Sequence, residues 1–351
     1  MSVAETAAES FPREDPDHRR RRRFALGFAA LAAIGILTGL MTGAQGLSPS
    51  AFLADLRGED AALIIGEIRA PRTLGAGLVG ALLGVCGAIA QGLFRNPLAD
   101  PYLLGSAAGA GLGVVLVLAA AAWGGVFLSL AAVAWLERVG LVAAAFVGAL
   151  GGVALTLLLA RGAVHTLRLL LSGVVVAALL GAVIDLVTVV SPDALRGKQA
   201  FMLGSTSFLG WSAVMLLAIA LAALLPLARR QARALDALTL GEDSAASLGL
   251  NLPRVRLVLV GLLSLGTAVA VSQAGLVAFV GLVAPHLVRR LAPGAHGWLL
   301  WASGASGAVL LLGADVIARA VIAPQELPVG VVSAVLGGGY LFVLLRRGLR
   351  P

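Results

Sequence analysis

Apolar residues in this chain come in blocks rather than stripes. Runs of about 20 residues with almost no charge alternate with short polar connections, the pattern of helices long enough to cross a hydrocarbon core roughly 30 Å thick at about 1.5 Å per residue. The blocks predict ten transmembrane helices, near 24–43, 73–94, 102–122, 139–160, 169–190, 212–228, 253–273, 275–291, 298–317 and 328–345. Residues 1–23 form a polar tail carrying Pro12 and Pro16, expected to be disordered. The first block, Phe24 to Gly43, holds no charge and is followed by many more, so it reads as a first span rather than a cleaved leader. The stretch Leu257 to Leu287 lacks Asp, Glu, Lys and Arg and fits one tilted helix or two short ones broken at Ser272-Gln273-Ala274-Gly275. A single crossing would put Arg254 and Arg256 on the opposite side from Arg289 and Arg290, so charge selects two.

Composition supports the block reading. Of 351 residues 59% are hydrophobic and 13% charged, and the mean hydropathy of +0.98 excludes an ordinary water-soluble domain. The net charge of +8 reports orientation in lipid, not affinity for nucleic acid, because the arginines sit at block ends. With both termini in the cytoplasm, all but seven of the 26 basic residues fall on the inner face; the seven are Arg57, Arg69, Arg72, Arg138, Arg196, Lys198 and Arg319. Trp123 and Trp135 are expected at the outer interface. The one cysteine, Cys86, lies inside a block and supports neither a disulfide nor a metal site. His18, His165, His286 and His296 lack metal-pair spacing, so no catalytic, metal or cofactor residue is assigned. Gly197-Lys198-Gln199 lacks the upstream glycine and the hydroxyl of a phosphate loop, so the chain is not expected to hydrolyse ATP.

Small and polar residues mark contacts. Gly80-xxx-Gly84, Gly105-xxx-Gly109-xxx-Gly113 and Gly148-xxx-Gly152 predict close helix crossings. Asp315 and Arg319, four apart, predict a structural ion pair near the outer surface. Asp185 is placed toward a vestibule, and two carboxylates near one end make a poor proton relay, against an ion-coupled secondary transporter. Arg69 and Arg72 flank Pro71 at an outer mouth and read either as interfacial anchors or as receivers of a partner's carboxylates. At the inner end, Asn96-Pro97 makes a turn and Asp100-Pro101 is read as the N-cap and first residue of the next helix. The polar island Leu235–Asn251 lies between arginines on both sides. Thr239 with Glu242 reads as a capping box and Gly249 as the stop of a short helix. It is either a solvated loop or the place where an outside source of energy takes hold.

The segment RAPRTLGAGLVGALLGVCGAIAQGLFRNPLADPYLLGSAAGA at 69–110 resembles the permease subunits of binding-protein-dependent importers for iron chelates, haem and vitamin B12, the FecCD permeases. LTLGEDSAASLGLN at 238–251, GLVAFVGLVAPHLVRRL at 275–291 and ADVIARAVIAPQELPVGVVSAVLGGGYLFVLLRR at 314–347 resemble the same family in order and spacing. The resemblance implies an all-α polytopic permease of the type II ABC importer fold over 24–347, in the inner membrane of a bacterium. It implies a homodimer with two ATPase subunits, which carry ATP and magnesium, and one substrate-binding protein. By resemblance, Gly241, Glu242, Ala245, Leu248 and Gly249 form the ATPase coupling helices, and Arg69, Arg72 and Arg319 dock the binding protein. Asn96, Leu98, Thr166 and Leu167 become the cytoplasmic gate. The implied cargo is an iron complex, haem or a ferric siderophore, with a corrinoid as the alternative.

Overall fold

The computed structural model describes residues 16–58, 60–124, 140–163 and 165–346. The chain opens with α1 (Pro16–Met41), a two-residue antiparallel pair (Thr42–Gly43 with Gly46–Leu47) and α2 (Pro49–Arg57). A π-helical stretch, Ala62–Arg69, runs into α3 (Ala70–Phe94), followed by α4 (Ser106–Gly124), α5 (Leu141–Leu159), α6 (Thr166–Val190) and α7 (Pro192–Leu203). Then come α8 (Trp211–Arg230), α9 (Ala232–Thr239), α10 (Glu242–Ser247), α11 (Leu252–Ala274), α12 (Val280–Leu291), α13 (His296–Ala320) and α14 (Val329–Arg346).

Each predicted block meets a helix, but they are not ten equal spans. Among the described residues seven helices are long and apolar enough to cross a membrane, while Ser106–Ala122 and Val329–Leu344 are shorter apolar helices. The block 275–291 yields α12, only 12 residues. At about 1.5 Å each that is roughly 18 Å, too short to cross alone. Its missing half is irregular backbone: Gly275, at φ +66, ends α11, and Phe279, at φ +67, starts α12. The amide of Leu276 donates to the Phe201 carbonyl at 3.0 Å, and that of Ser205 donates to Ala274 at 2.8 Å. The end of α7 thus satisfies main-chain groups that lipid would leave bare.

Two other sequence readings change. The helix of α1 already includes Arg19 to Arg23, so the expected tail is helical from Pro16 on; the rest of it, with Trp135 and Arg138, lies outside the described residues. Helix α7 occupies what reads as an outer connection, and α2 has a cap signal that was legible, since Ser48 accepts from the Ala51 amide with Pro49 next to it.

The central helix is α3: 89% of its most apolar window is buried, against 11% for α1. It packs along α13 because both present glycine. A side chain on Gly80 would strike the Gly307 carbonyl, one on Gly307 the Gly80 carbonyl, and one on Gly84 the Ser303 carbonyl. The α4–α5 crossing repeats this with Gly109 against Gly148 and Gly152 against the Gly105 carbonyl. Backbones in contact supply the van der Waals attraction that replaces hydrophobic drive between helices in lipid.

Candidate functional site

At the arginine-rich end of the bundle, the polar island folds as two short helices rather than one. Thr239 is the last residue of α9 and its hydroxyl donates to the Asp236 carbonyl at 2.6 Å, so it caps nothing downstream. The N-cap of α10 is Gly241, at φ +109, a conformation glycine reaches without steric cost. That turn resets the chain direction and rules out the predicted box. The predicted stop is present: Gly249, at φ +82, donates to Ala246 at 2.9 Å while Leu250 donates to Ala245 at 3.3 Å, the paired bonds of a Schellman motif. Ala245 is fully buried against the bundle, whereas Leu240 and Leu248 are 68% and 65% exposed. The pair forms an apolar surface of the kind that marks a protein partner.

Glu242 gathers several helix ends there. Its Oε1 lies 2.7 Å from the Arg256 guanidinium of α11, 3.4 Å from that of Arg95 and 3.3 Å from the Thr166 hydroxyl, which donates to it. Arg95 follows α3 in the left-handed region at φ 49, where it turns the chain into Asn96-Pro97. The Asn96 side-chain oxygen accepts from the Leu98 amide at 2.9 Å, the Asx turn expected of that dipeptide. Asp100 accepts from the Tyr102 amide at 2.8 Å, but α4 begins only at Ser106, so Asp100-Pro101 opens a turn and not the helix itself. Thr166 is the first residue of α6, and both Leu98 and Leu167 are exposed. The predicted gate and coupling residues therefore converge through one carboxylate. Desolvation alone would raise the Glu242 pKa, but the Arg256 guanidinium, Thr166 and Arg95 outweigh it and hold it below the ordinary 4.5.

At the other end the three predicted arginines are each engaged within the chain. Arg69 pairs with Asp55 of α2 at 2.6 Å and donates to the Leu40 carbonyl at 3.3 Å. Arg72 is buried and grips Glu326 through two bonds of 2.8 and 3.0 Å while its Nε donates to Asp315 at 3.3 Å. Arg319, also buried, lies 2.6 Å from Asp315 as its spacing predicts, and donates to the carbonyls of Gly39 and Thr42, each at 2.9 Å. Thr206 donates to Asp315 at 2.5 Å and Ser207 to Glu326 at 2.9 Å, which ties the loop after α7 into the cluster. Sequence reasoning missed Asp55, Glu326, Thr206 and Ser207, which come from other parts of the chain. Burial would raise the Glu326 pKa, but Arg72, Ser207 and Arg319 outweigh it and lower it. For Glu242 and Glu326 alike, the depressed value means the stabilising contact is complete above pH 4.5 and is lost as pH falls through the lower folded value. Asp185 pairs with Lys198 of α7 at 2.5 Å and is 71% exposed.

Between α7 and α14 lies an open apolar groove of about 360 Å³, bordered by Met202, Leu276, Ala278, Gly330, Val331 and Val335. Its α14 wall continues along the helix as exposed Val335, Leu336 and Phe342.

Residues 31–347 match the profile of the FecCD transport family. The chain is 40% identical over 288 residues to the hemin transport system permease protein of Yersinia pestis, covering 80% of this chain and 82% of that one. It is 38% identical over 330 residues to the vitamin B12 import system permease protein of Klebsiella pneumoniae, covering 94% and 95%. A solved inward-facing metal-chelate type ABC transporter superposes with a TM-score of 0.79 at 26% identity, over 93% of this chain and 99% of that one.

Proposed function

Since this chain belongs to the FecCD transport family, we propose that it is the membrane permease of an importer whose cargo is an iron complex, haem or a ferric siderophore, moved by a separate ATPase. The hemin relative and the metal-chelate neighbour favour an iron complex. A corrinoid is the second reading, favoured by the vitamin B12 relative that this chain matches over 94% of its length. The observation that carries the energy-coupling part is the exposed Leu240 and Leu248 on a two-helix island joined by Glu242 to the inner ends of α3, α6 and α11. Helices α9 and α10 seat in the ATPase, and nucleotide-driven closure moves them. The groove between α7 and α14 is half a pathway that a second copy completes, and its apolar lining holds cargo weakly enough to let it go.

Purified alone, the protein is expected to show no ATPase activity and no uptake into vesicles under an imposed proton gradient; adding the cognate ATPase subunits, binding protein and ATP restores both. Gradient-driven uptake by the lone chain would overturn this reading in favour of a secondary transporter. Uptake of labelled haem, ferric siderophore and cobalamin by the same complex sorts the cargo.

Docking of a binding protein on the outer face by Arg69, Arg72 and Arg319 requires exchange, since each already holds an internal partner. Glu326, with 39% of its side chain exposed, is the internal carboxylate that an external one displaces from Arg72. The double substitution Arg72→Gln with Glu326→Gln removes the internal pair as a unit and leaves Asp315 with Arg319 and Thr206. It is expected to weaken docking on the order of 30-fold or more, with a flatter salt dependence. Unchanged affinity for the binding protein would remove these arginines from the docking surface.

A further inference from the structure

The contacts of α10 are unequal, and the inequality points to a division of labour. Its backbone packs beside α9 and α11, and Ala245 is its buried anchor. The Glu242 side chain reaches further, to Arg95 after α3 and to Thr166 at the start of α6. The contact with Arg256 is short at 2.7 Å and its guanidinium is 3% exposed, so that partner is fixed in the bundle. The contacts to Thr166 and Arg95, at 3.3 and 3.4 Å, are longer than a well-made charge-assisted bond of roughly 2.7–2.9 Å and lie nearer solvent. Partly exposed ion pairs of this kind contribute little to stability, about 0–1 kcal/mol. Their physical effect is to set where three helix ends sit relative to one another.

We propose that Glu242 is the positioning residue that carries movement of α9–α10 to the inner gate, with Arg256 as its pivot and Thr166 and Arg95 as its two exchangeable outputs. This rests on the reading of α9–α10 as the part moved by the ATPase. When α10 shifts, the carboxylate stays with Arg256 and its hold on the other two changes. Thr166 carries Leu167 with it at the head of α6, and Arg95 carries Asn96 to Leu98, so both sides of the inner opening respond to a single side chain. A purely local role would need Arg256 alone.

The geometry allows a direct test, because the native thiol of Cys86 is fully buried and a new surface thiol reports by itself. Leu98→Cys and Leu167→Cys, each in the complete transporter with its ATPase subunits in vesicles, are labelled with a membrane-impermeant maleimide from the ATPase side. With ATP trapped by vanadate, the labelling rate in each of these two parent complexes is expected to change by about fivefold or more. Adding Glu242→Gln, or the pair Arg95→Gln with Thr166→Val in the Leu98→Cys parent, is expected to reduce the change below about twofold. The paired substitution keeps the Glu242–Arg256 contact, so a loss of response there is not a loss of the fold. A nucleotide response undiminished by either addition overturns the assignment of Glu242. Parent complexes that hydrolyse ATP without any change at either introduced thiol overturn the coupling reading itself, and this inference with it.

Discussion

Gly84→Val is expected to destabilise the folded protein severely, whereas Gly151→Val is expected to leave it standing. Both glycines lie in apolar helices, so composition treats them alike. Gly84 sits where α3 crosses α13: its added side chain would overlap the Ser303 carbonyl oxygen, with the carbonyl carbon 2.9 Å and the Gly304 Cα 3.4 Å from the new Cβ. These are backbone atoms of a buried helix and cannot rotate away. Relief requires α13 to move off α3, and the neighbouring reciprocal contact of Gly80 with Gly307 opens with it. In lipid no hydrophobic term pulls the helices back, since tails solvate the separated surfaces as well as the helices do each other. Overpacking a core typically costs about 1–3 kcal/mol, and the shared crossing puts Gly84→Val at or above the top of that range. Around Gly151 on α5 nothing lies within 4 Å of a new Cβ, so the cost there is about 0.5 kcal/mol or less. Monodisperse elution and melting temperature in detergent read the difference. Equal behaviour of the two variants would mean that α3 and α13 do not cross through glycine.

The same contrast shows how far a sequence carries. Helix positions were legible because each block answers to a single constraint, the thickness of hydrocarbon, and the Gly-xxx-Gly spacings named the crossings because period alone puts both glycines on one face. The half-helix α12 was not legible: 275–287 carries no Asp, Glu, Lys or Arg, and what breaks it is hydrogen bonding of Leu276 and Ala274 to residues 201 and 205, some 70 positions upstream. Nor were the partners of the outer arginines, since Asp315 and Glu326 stand 243 and 254 residues from Arg72. Only Asp315 with Arg319, one helical turn apart, was within reach of local reasoning. The Glu242 cluster was half legible. Its residue type and island were plain, but Thr239 looked like a cap because spacing cannot register that Gly241 turns the chain between them.

Asp315→Asn is expected to cost about 3–5 kcal/mol, against about 0–1 kcal/mol for Asp185→Asn. Asp315 is fully buried between two buried guanidiniums, at 3.3 Å from Arg72 and 2.6 Å from Arg319. Its isosteric amide keeps the shape and removes the carboxylate that balances Arg319, whose other acceptors are the neutral carbonyls of Gly39 and Thr42. Arg72 retains Glu326, so the loss falls chiefly on Arg319 and on the junction of α13 with the end of α1. Asp185 is an equally close pair by distance, 2.5 Å from Lys198, but 71% of its side chain is exposed. Salt separates the two cases further: raising ionic strength toward 1 M shortens the screening length to about 3 Å, which should erase the Asp185 effect and leave that of Asp315 in place. If Asp315→Asn melts with the parent, the buried cluster is dispensable and the glycine crossing alone holds α3 to α13. If it fails as expected, these two helices are fixed at mid-span by backbone contact and at the outer end by charge.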